Sequence, residues 1–85
     1  MKNENRNCGG QLNLLVPSAD VEAVCEWVRD SLGKEPVEIT QPLADESQIE
    51  IYFDTLSEAE AACKALPPEL PVLTAGAREI GRAHV

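Results

Sequence analysis

The chain has 85 residues and a formal net charge of −8, and 44% of its residues are hydrophobic although only 4% are aromatic. This length and composition suit one small domain with an aliphatic core and argue against a disordered chain. The negative charge argues against binding to nucleic-acid phosphates or anionic lipid surfaces and favours a basic protein partner, such as a ribosomal protein. The other interpretation is that the acidity only keeps a small domain in solution.

The cysteines indicate a reducing compartment. The chain has three cysteines, Cys8, Cys25 and Cys63, and no Cys-x-x-Cys pair. Because the number is odd and the spacings fit no metal-ligand motif, neither a disulfide framework nor a zinc site is expected. The first ten residues, MKNENRNCGG, lack the apolar core of a signal peptide, and no segment approaches the roughly 20 apolar residues of a membrane span. We therefore expect a cytoplasmic, monomeric protein that does not bind membranes.

The first third of the chain predicts an arm, a strand and a helix. Residues 1–10 are polar and end in two glycines, which is typical of a flexible N-terminal arm. QLNLLVP alternates as a strand does, and Ser18 is a candidate N-cap. An apolar stripe at helical spacing then predicts a helix over residues 19–32, ended by Gly33 in a left-handed cap. The stripe is formed by Val21, Val24, Cys25, Val28 and Leu32.

The rest of the chain predicts a hairpin, a second helix and a last strand. PVEITQPL and QIEIYFD alternate on either side of a polar turn. Thr55 with Glu58, or Ser57 with Glu60, fits a capping box for a helix that Pro67 and Pro68 end. PVLTAGAR is a short extended segment. The order predicts an α+β domain over residues 11–78, a ferredoxin-like βαββαβ fold with two helices on one face of an antiparallel sheet.

The sequence offers no pattern for catalysis, for a metal or for a cofactor. His84 is the only histidine, and it lies in the final seven residues; the carboxylates are spread over polar faces and turns. No glycine-rich phosphate loop follows a strand. Tyr52 and Phe53 are the only strand aromatics and point to opposite faces, so RNA binding through the sheet is not expected. We expect no catalytic, metal or cofactor-binding residue in this chain.

A partner surface is the remaining functional candidate. We expect the sheet face away from the helices to be acidic and mildly apolar, and so to suit a basic protein. The residues predicted on it are Gln11, Asn13, Leu15, Glu38, Thr40, Glu50 and Tyr52. Trp27 lies off the apolar stripe of the first helix. It is either a flanking residue that covers the sheet edge or an exposed anchor for a protein partner.

The last seven residues, EIGRAHV, differ in character from the rest. One set of codons for them reproduces the start of a widely used short-read sequencing adapter, followed by a stop codon. We therefore expect residues 79–85 to be a non-native tail and the native protein to be longer.

The pattern of residues 21–66 resembles the N-terminal domain of the bacterial methyltransferase family that modifies ribosomal large-subunit protein eleven, and the resemblance covers about residues 11–78. The resemblance lies in a first helix that ends in Leu32-Gly33, a strand that begins at Pro36-Val37, and Tyr52-Phe53 before the second helix. It implies an acidic ferredoxin-like domain that recognises the protein substrate. It further implies a missing catalytic domain that binds S-adenosylmethionine and methylates lysine. This chain would then be a non-catalytic fragment, and no cofactor residue of the family has a counterpart in it.

A non-enzymatic module is the alternative. ACT-like regulatory domains share the βαββαβ order and often pair through their sheets. They usually place a glycine at the first strand–helix junction for ligand contact, whereas this chain has Pro17 and Ser18 there.

Overall fold

The computed structural model describes residues 9–40 and 45–80. Four strands form one antiparallel sheet in the order β2-β3-β1-β4. The strands are β1 (Gly9–Pro17), β2 (Val37–Thr40), β3 (Glu46–Phe53) and β4 (Thr74–Ile80), and the helices are α1 (Val21–Trp27) and α2 (Leu56–Lys64). This α+β arrangement confirms the predicted fold class and fits a ferredoxin-like fold.

The core lies between the sheet and the two helices. Leu12, Leu14 and Val16 of β1 alternate into it and are fully or almost fully buried, as sequence alternation predicted. Ile49 and Ile51 of β3 lie beside them in the register. The helices contribute Val21, Val24, Cys25, Val28, Ala59 and Ala62. Because the buried residues of α2 are alanines, this helix packs close to β1 and β4.

Two of the three predicted helix ends are confirmed. Gly33 adopts φ 65°, and its N–H donates to the carbonyl of Arg29, which is the predicted left-handed end. Thr55 accepts a hydrogen bond from the backbone N–H of Glu58 at 3.2 Å, so it caps α2.

The predicted N-cap role of Ser18 is wrong. Ser18 lies in a 3-10 turn, Ser18–Asp20, that leads into α1, and no side-chain cap was found at this start. Its hydroxyl instead lies 3.2 Å from that of Ser47, and its N–H donates to the carbonyl of Asp45. Ser18 therefore ties the start of α1 to β3. Beyond Trp27 the helix continues as a π-helical turn, Val28–Leu32.

The sheet extends two residues beyond each predicted domain boundary. β1 begins at Gly9, which pairs with Ile80, and Gly10 pairs with Glu79 and Phe53. Gly10 is buried because the β3–α2 junction passes over it. Residues 9 and 10 thus belong to the sheet and not to an arm, and residues 79 and 80 complete β4. The rest of the predicted arm (1–8) and tail (81–85), with Cys8 and His84, lies outside the described residues.

Among residues 9–40 and 45–80, no helix has the length and apolar character needed to cross a membrane.

Candidate interaction face

The side of the sheet opposite α1 and α2, which we call the open face, is built from three rows of side chains. Cross-strand pairing sets the rows, because directly paired residues point to the same side of a sheet. The first row is Ile39, Gln48, Leu15 and Thr74; the second is Val37, Glu50, Asn13 and Gly76; the third is Tyr52, Gln11 and Arg78. Five of the seven sheet residues predicted on this face lie there: Gln11, Asn13, Leu15, Glu50 and Tyr52.

The predicted orientation of β2 is wrong. Glu38 pairs with Ile49, a core-facing position of β3, so it does not belong to the open face, and the backbone of Thr40 pairs with that of Ser47. Val37 and Ile39 belong to it instead. Alternation defines two faces of a strand, but only pairing with a neighbour decides which face is inside. β2 is a short edge strand, and Glu38 lines a surface hollow together with Glu22 and Arg29, so a charged residue is tolerated on the helix side there.

With this orientation of β2, three of the four exposed large hydrophobic side chains lie on the open face. Val37, Ile39 and Tyr52 are 42%, 37% and 49% exposed, and Leu73 is 51% exposed. These four are the exposed large hydrophobic residues of the described chain. Leu73 immediately precedes β4 and donates its N–H to the carbonyl of Leu15 at 2.7 Å, so it lies at the same end of the sheet.

A polar network crosses the third row and the middle of the face. Arg78 Nε donates to Gln11 Oε1 at 2.9 Å, and Asn13 Nδ2 donates to the same oxygen at 3.4 Å. Gln11 is only 4% exposed although it lies on the side of the sheet opposite both helices. The Tyr52 hydroxyl donates to Glu50 Oε1 at 2.7 Å, and this hydrogen bond raises the pKa of Tyr52 above its ordinary value.

Asn13 has an unsatisfied acceptor at the centre of the face. Its Oδ1 is buried and has no hydrogen-bond partner among the described residues. Beside it lies a hollow of about 220 Å³, lined by Asn13, Leu14, Leu15, Gln48 and Thr74. Gly76 pairs directly with Asn13, and a Cβ added there would meet no atom within 4 Å. The missing side chain of Gly76 thus leaves space next to Asn13.

The open face is less acidic than predicted. With Glu38 on the other side, the charged residues of its three rows are Glu50 and Arg78, and Glu46 lies at the start of β3, where it pairs with Pro17. Most acidic residues are instead exposed on the helices and on the segments that connect them to the strands. They include Glu22, Glu26, Asp30, Asp54, Glu58 and Glu60. The negative field of the domain therefore comes mainly from outside this face.

Trp27 lies on the side of the sheet that carries the helices. It is half-buried and packs against the core cluster on the helix side of the sheet. It is therefore not continuous with the open face.

A second hollow, of about 440 Å³, lies at the β1–α1 junction. It is lined by Ser18, Ala19, Val21, Glu22, Cys25, Arg29 and Glu38. Burial raises the pKa of the Cys25 thiol, which disfavours its nucleophilic thiolate at neutral pH. Arg29 forms an exposed salt bridge to Glu35 at 3.3 Å. Cys25 is thus a core residue at the wall of this hollow.

Among residues 9–40 and 45–80, no group of three or more His, Cys, Asp or Glu side chains is placed to hold a metal ion. Cys25 and Cys63 are free thiols on different helices, and a nucleophile needs a base within hydrogen-bond reach.

Sequence reasoning missed part of the open face. The missed residues are Val37, Ile39, Gln48, Thr74, Gly76 and Arg78. Gln48 and Gly76 had a usable signal, because they alternate with core-facing residues of their strands. Val37 and Ile39 had none, since apolar residues on an edge strand look like core residues in the sequence.

Comparison with known proteins found no match: no protein family, no curated protein and no solved structure matches the chain.

Proposed function

We propose that this domain is a recognition module that binds another protein through its open face. The observation that carries the proposal is the grouping of exposed Val37, Ile39 and Tyr52 on the sheet face opposite the two helices. Scattered exposed apolar residues are normal on a protein surface, but a patch rimmed by polar groups is typical of an interaction site. Interfaces are also enriched in tyrosine and arginine, which this face has in Tyr52 and Arg78.

The partner is a basic protein. The net charge of −8 raises the local concentration of cationic partners and disfavours nucleic acid. Such long-range attraction sets the association rate more than the final affinity. Contacts with Val37, Ile39 and Tyr52 then supply the apolar burial that holds the complex.

Within this proposal, the domain is the substrate-recognition part of an S-adenosylmethionine-dependent methyltransferase that acts on a ribosomal protein in the cytoplasm. The support is the resemblance of residues 21–66 to that family, together with the ferredoxin-like order of elements. In this arrangement the domain is a monomer that binds the substrate protein. The cofactor belongs to the catalytic part of the parent enzyme.

The test is a nuclear magnetic resonance titration of the labelled domain with a synthetic lysine-rich peptide. We expect shifts at Val37, Ile39 and Tyr52 and their neighbours. The double variant Val37→Ser/Ile39→Ser should weaken binding at least about tenfold, which corresponds to about 1.4 kcal/mol.

The control variant is Ala61→Ser, which changes an exposed residue of α2 and should bind as the original chain does. Shifts confined to the helices, or equal affinity of the double variant, would refute a role for the open face. Absence of any binding to the basic peptide would refute the basic partner.

A ligand-binding regulatory module is the second candidate, and the hollow at the β1–α1 junction favours it. Arg29 and Glu38 bring opposite charges to this hollow, as a zwitterionic amino acid requires. Sedimentation with and without a mixture of amino acids separates the two candidates. Ligand-dependent dimerisation would favour the regulatory module, and unchanged sedimentation would favour the recognition module.

A further inference from the structure

We propose that β4 is a contact between two copies of this chain, which pair edge to edge and join their four-stranded sheets into one antiparallel sheet. The pairing is reversible, and the monomer of the proposed function is its dissociated form. The inference goes beyond that function and does not depend on it, because pairing at the edge leaves the open face of each copy free.

One side of the β4 backbone has no partner strand among the described residues. β4 is last in the sheet order, and β1 pairs with it on its inner side only. The backbone N–H and C=O groups that point outward are therefore available to another strand. The strand has seven residues and contains no proline that would interrupt a ladder. An edge of this length is a template for strand addition.

Symmetry and charge select the register of the pair. A two-fold axis perpendicular to the sheet must pass through one residue of β4, because directly paired residues point to the same face. With the axis at Ala77, all seven residues pair. Arg78 then faces Gly76 of the second copy, and Glu79 faces Ala75. With the axis one residue later the two Arg78 side chains would oppose each other, which is unfavourable, and with the axis one residue earlier fewer residues pair.

The position of α2 fits the same axis. α2 packs against β1 and β4 alike, so it lies above the space between these two strands. Because neighbouring strands are about 4.8 Å apart, the axes of the two α2 helices would be about 9–10 Å apart across the pair. Packed helices have interaxial distances of about 8–10 Å, so the two α2 helices can pack against each other.

The side of α2 that faces the axis is complementary in charge to itself. Glu60, Cys63 and Lys64 line a hollow of about 310 Å³ together with Ala77, so these side chains lie beside the axis. Glu60 and Lys64 are both exposed. The two-fold axis reverses the direction of the second α2, and so Glu60 of each copy faces Lys64 of the other. This reciprocal pairing favours a second copy over an unrelated strand as the occupant of the edge.

A disulfide at the axis tests the register. Ala77→Cys in a Cys8→Ser/Cys63→Ser background places two thiols opposite each other, because directly paired residues have Cα atoms about 4.5–5.5 Å apart. Ala75→Cys in the same background is the matched control: it lies on the same strand and the same face, but its two copies would be about 13 Å apart. Cys25 is only 7% exposed and can stay. Thermal unfolding checks that both variants are folded.

We expect mild oxidation with diamide to convert Ala77→Cys, and not Ala75→Cys, into a disulfide-linked dimer on a non-reducing gel. Equal cross-linking of the two variants, or no cross-linking of Ala77→Cys, would overturn the inference.

Sedimentation equilibrium of charge variants tests the contact between the α2 helices. Glu60→Lys lowers the net negative charge, which would strengthen non-specific association, but it sets like charges opposite each other at both contacts. We expect it to raise the dissociation constant of the dimer at least about fivefold. Glu60→Lys/Lys64→Glu restores opposite charges and should restore dimerisation. Glu58→Lys makes the same charge change at an exposed position of α2 away from the hollow, and should not weaken the dimer.

Three outcomes would overturn the inference. The first is an original chain that stays monomeric at every concentration up to its solubility limit. The second is a double variant that dimerises as weakly as Glu60→Lys. The third is a lysine-rich peptide that shifts the resonances of β4 and dissociates the dimer, because the edge would then serve a strand of the partner protein. Binding of that peptide to the open face alone bears on the proposed function and leaves the β4 contact intact.

Discussion

Replacing Gly10 with alanine should destabilise the domain strongly, because the backbone of the β3–α2 junction lies directly against this residue. A Cβ on Gly10 would lie 2.8 Å from the carbonyl carbon of Thr55 and 2.9 Å from the Cα of Leu56, and closer still to the Thr55 carbonyl oxygen. Real Cβ atoms do not approach backbone so closely, so the junction would have to move. It resists movement because that oxygen accepts the first backbone hydrogen bond of α2, from Ala59 at 3.3 Å, and Thr55 also caps the helix.

The expected loss is about 3 kcal/mol of unfolding free energy, at the upper end of what overpacking costs. A domain of this size has a total unfolding free energy of roughly 4–13 kcal/mol, so a large share would be lost. Because 1 kcal/mol shifts the melting temperature of such a domain by about 4–8 °C, the fall should be about 12–24 °C. Thermal unfolding followed by circular dichroism measures it.

Gly76→Ala is the matched control, since it makes the same change on the neighbouring strand where a Cβ meets no atom within 4 Å. It should leave the domain as stable or raise its stability by about 0.4–1 kcal/mol, because alanine restricts the unfolded chain. If Gly10 instead belonged to a mobile arm, Gly10→Ala would behave like this control. Equal melting temperatures for the two variants would therefore refute the placement of Gly10 beneath the junction.

Three further predictions concern single side chains. Thr55→Ala should lower the free energy of unfolding by about 1 kcal/mol, because it removes the hydroxyl that caps α2. Thr55→Ser keeps a hydroxyl and should not lower it, and urea unfolding of the two variants measures the difference. Tyr52, the only tyrosine, should titrate above its ordinary pKa, and Glu50→Gln should lower that pKa in an ultraviolet absorbance titration. Since the folded pKa is raised, the linked stability is present below the unfolded pKa and is lost as pH rises through the folded one. In a Cys8→Ser background, Cys25 should react with iodoacetamide more slowly than Cys63. The reason is that Cys25 is only 7% exposed and burial raises the pKa of its thiol. Mass spectrometry measures the two alkylation rates, and equal rates would contradict this prediction.

Most of the fold could be predicted from local sequence because its core patterns are unambiguous. Leu12, Leu14 and Val16 alternate strictly, and Gly33 marks the end of the first helix. The open face could be predicted only in part. Its central strands follow from their own alternation, but the side of β2 that is covered depends on its register with β3. That register is a tertiary property, which no pattern within four residues can encode.

The acidity of the chain and its contact surface act at different distances. The shortest dimension of the fold is 18 Å, and most carboxylates lie on the helix side or at the connections, away from the open face. At physiological salt the Debye length is about 8 Å, so those charges are largely screened from a partner already bound on the other side. They can raise the rate of encounter but cannot specify the contact. Under the proposed function, specific contacts on the open face therefore depend on its own side chains, and Val37, Ile39 and Tyr52 are its exposed large hydrophobic residues.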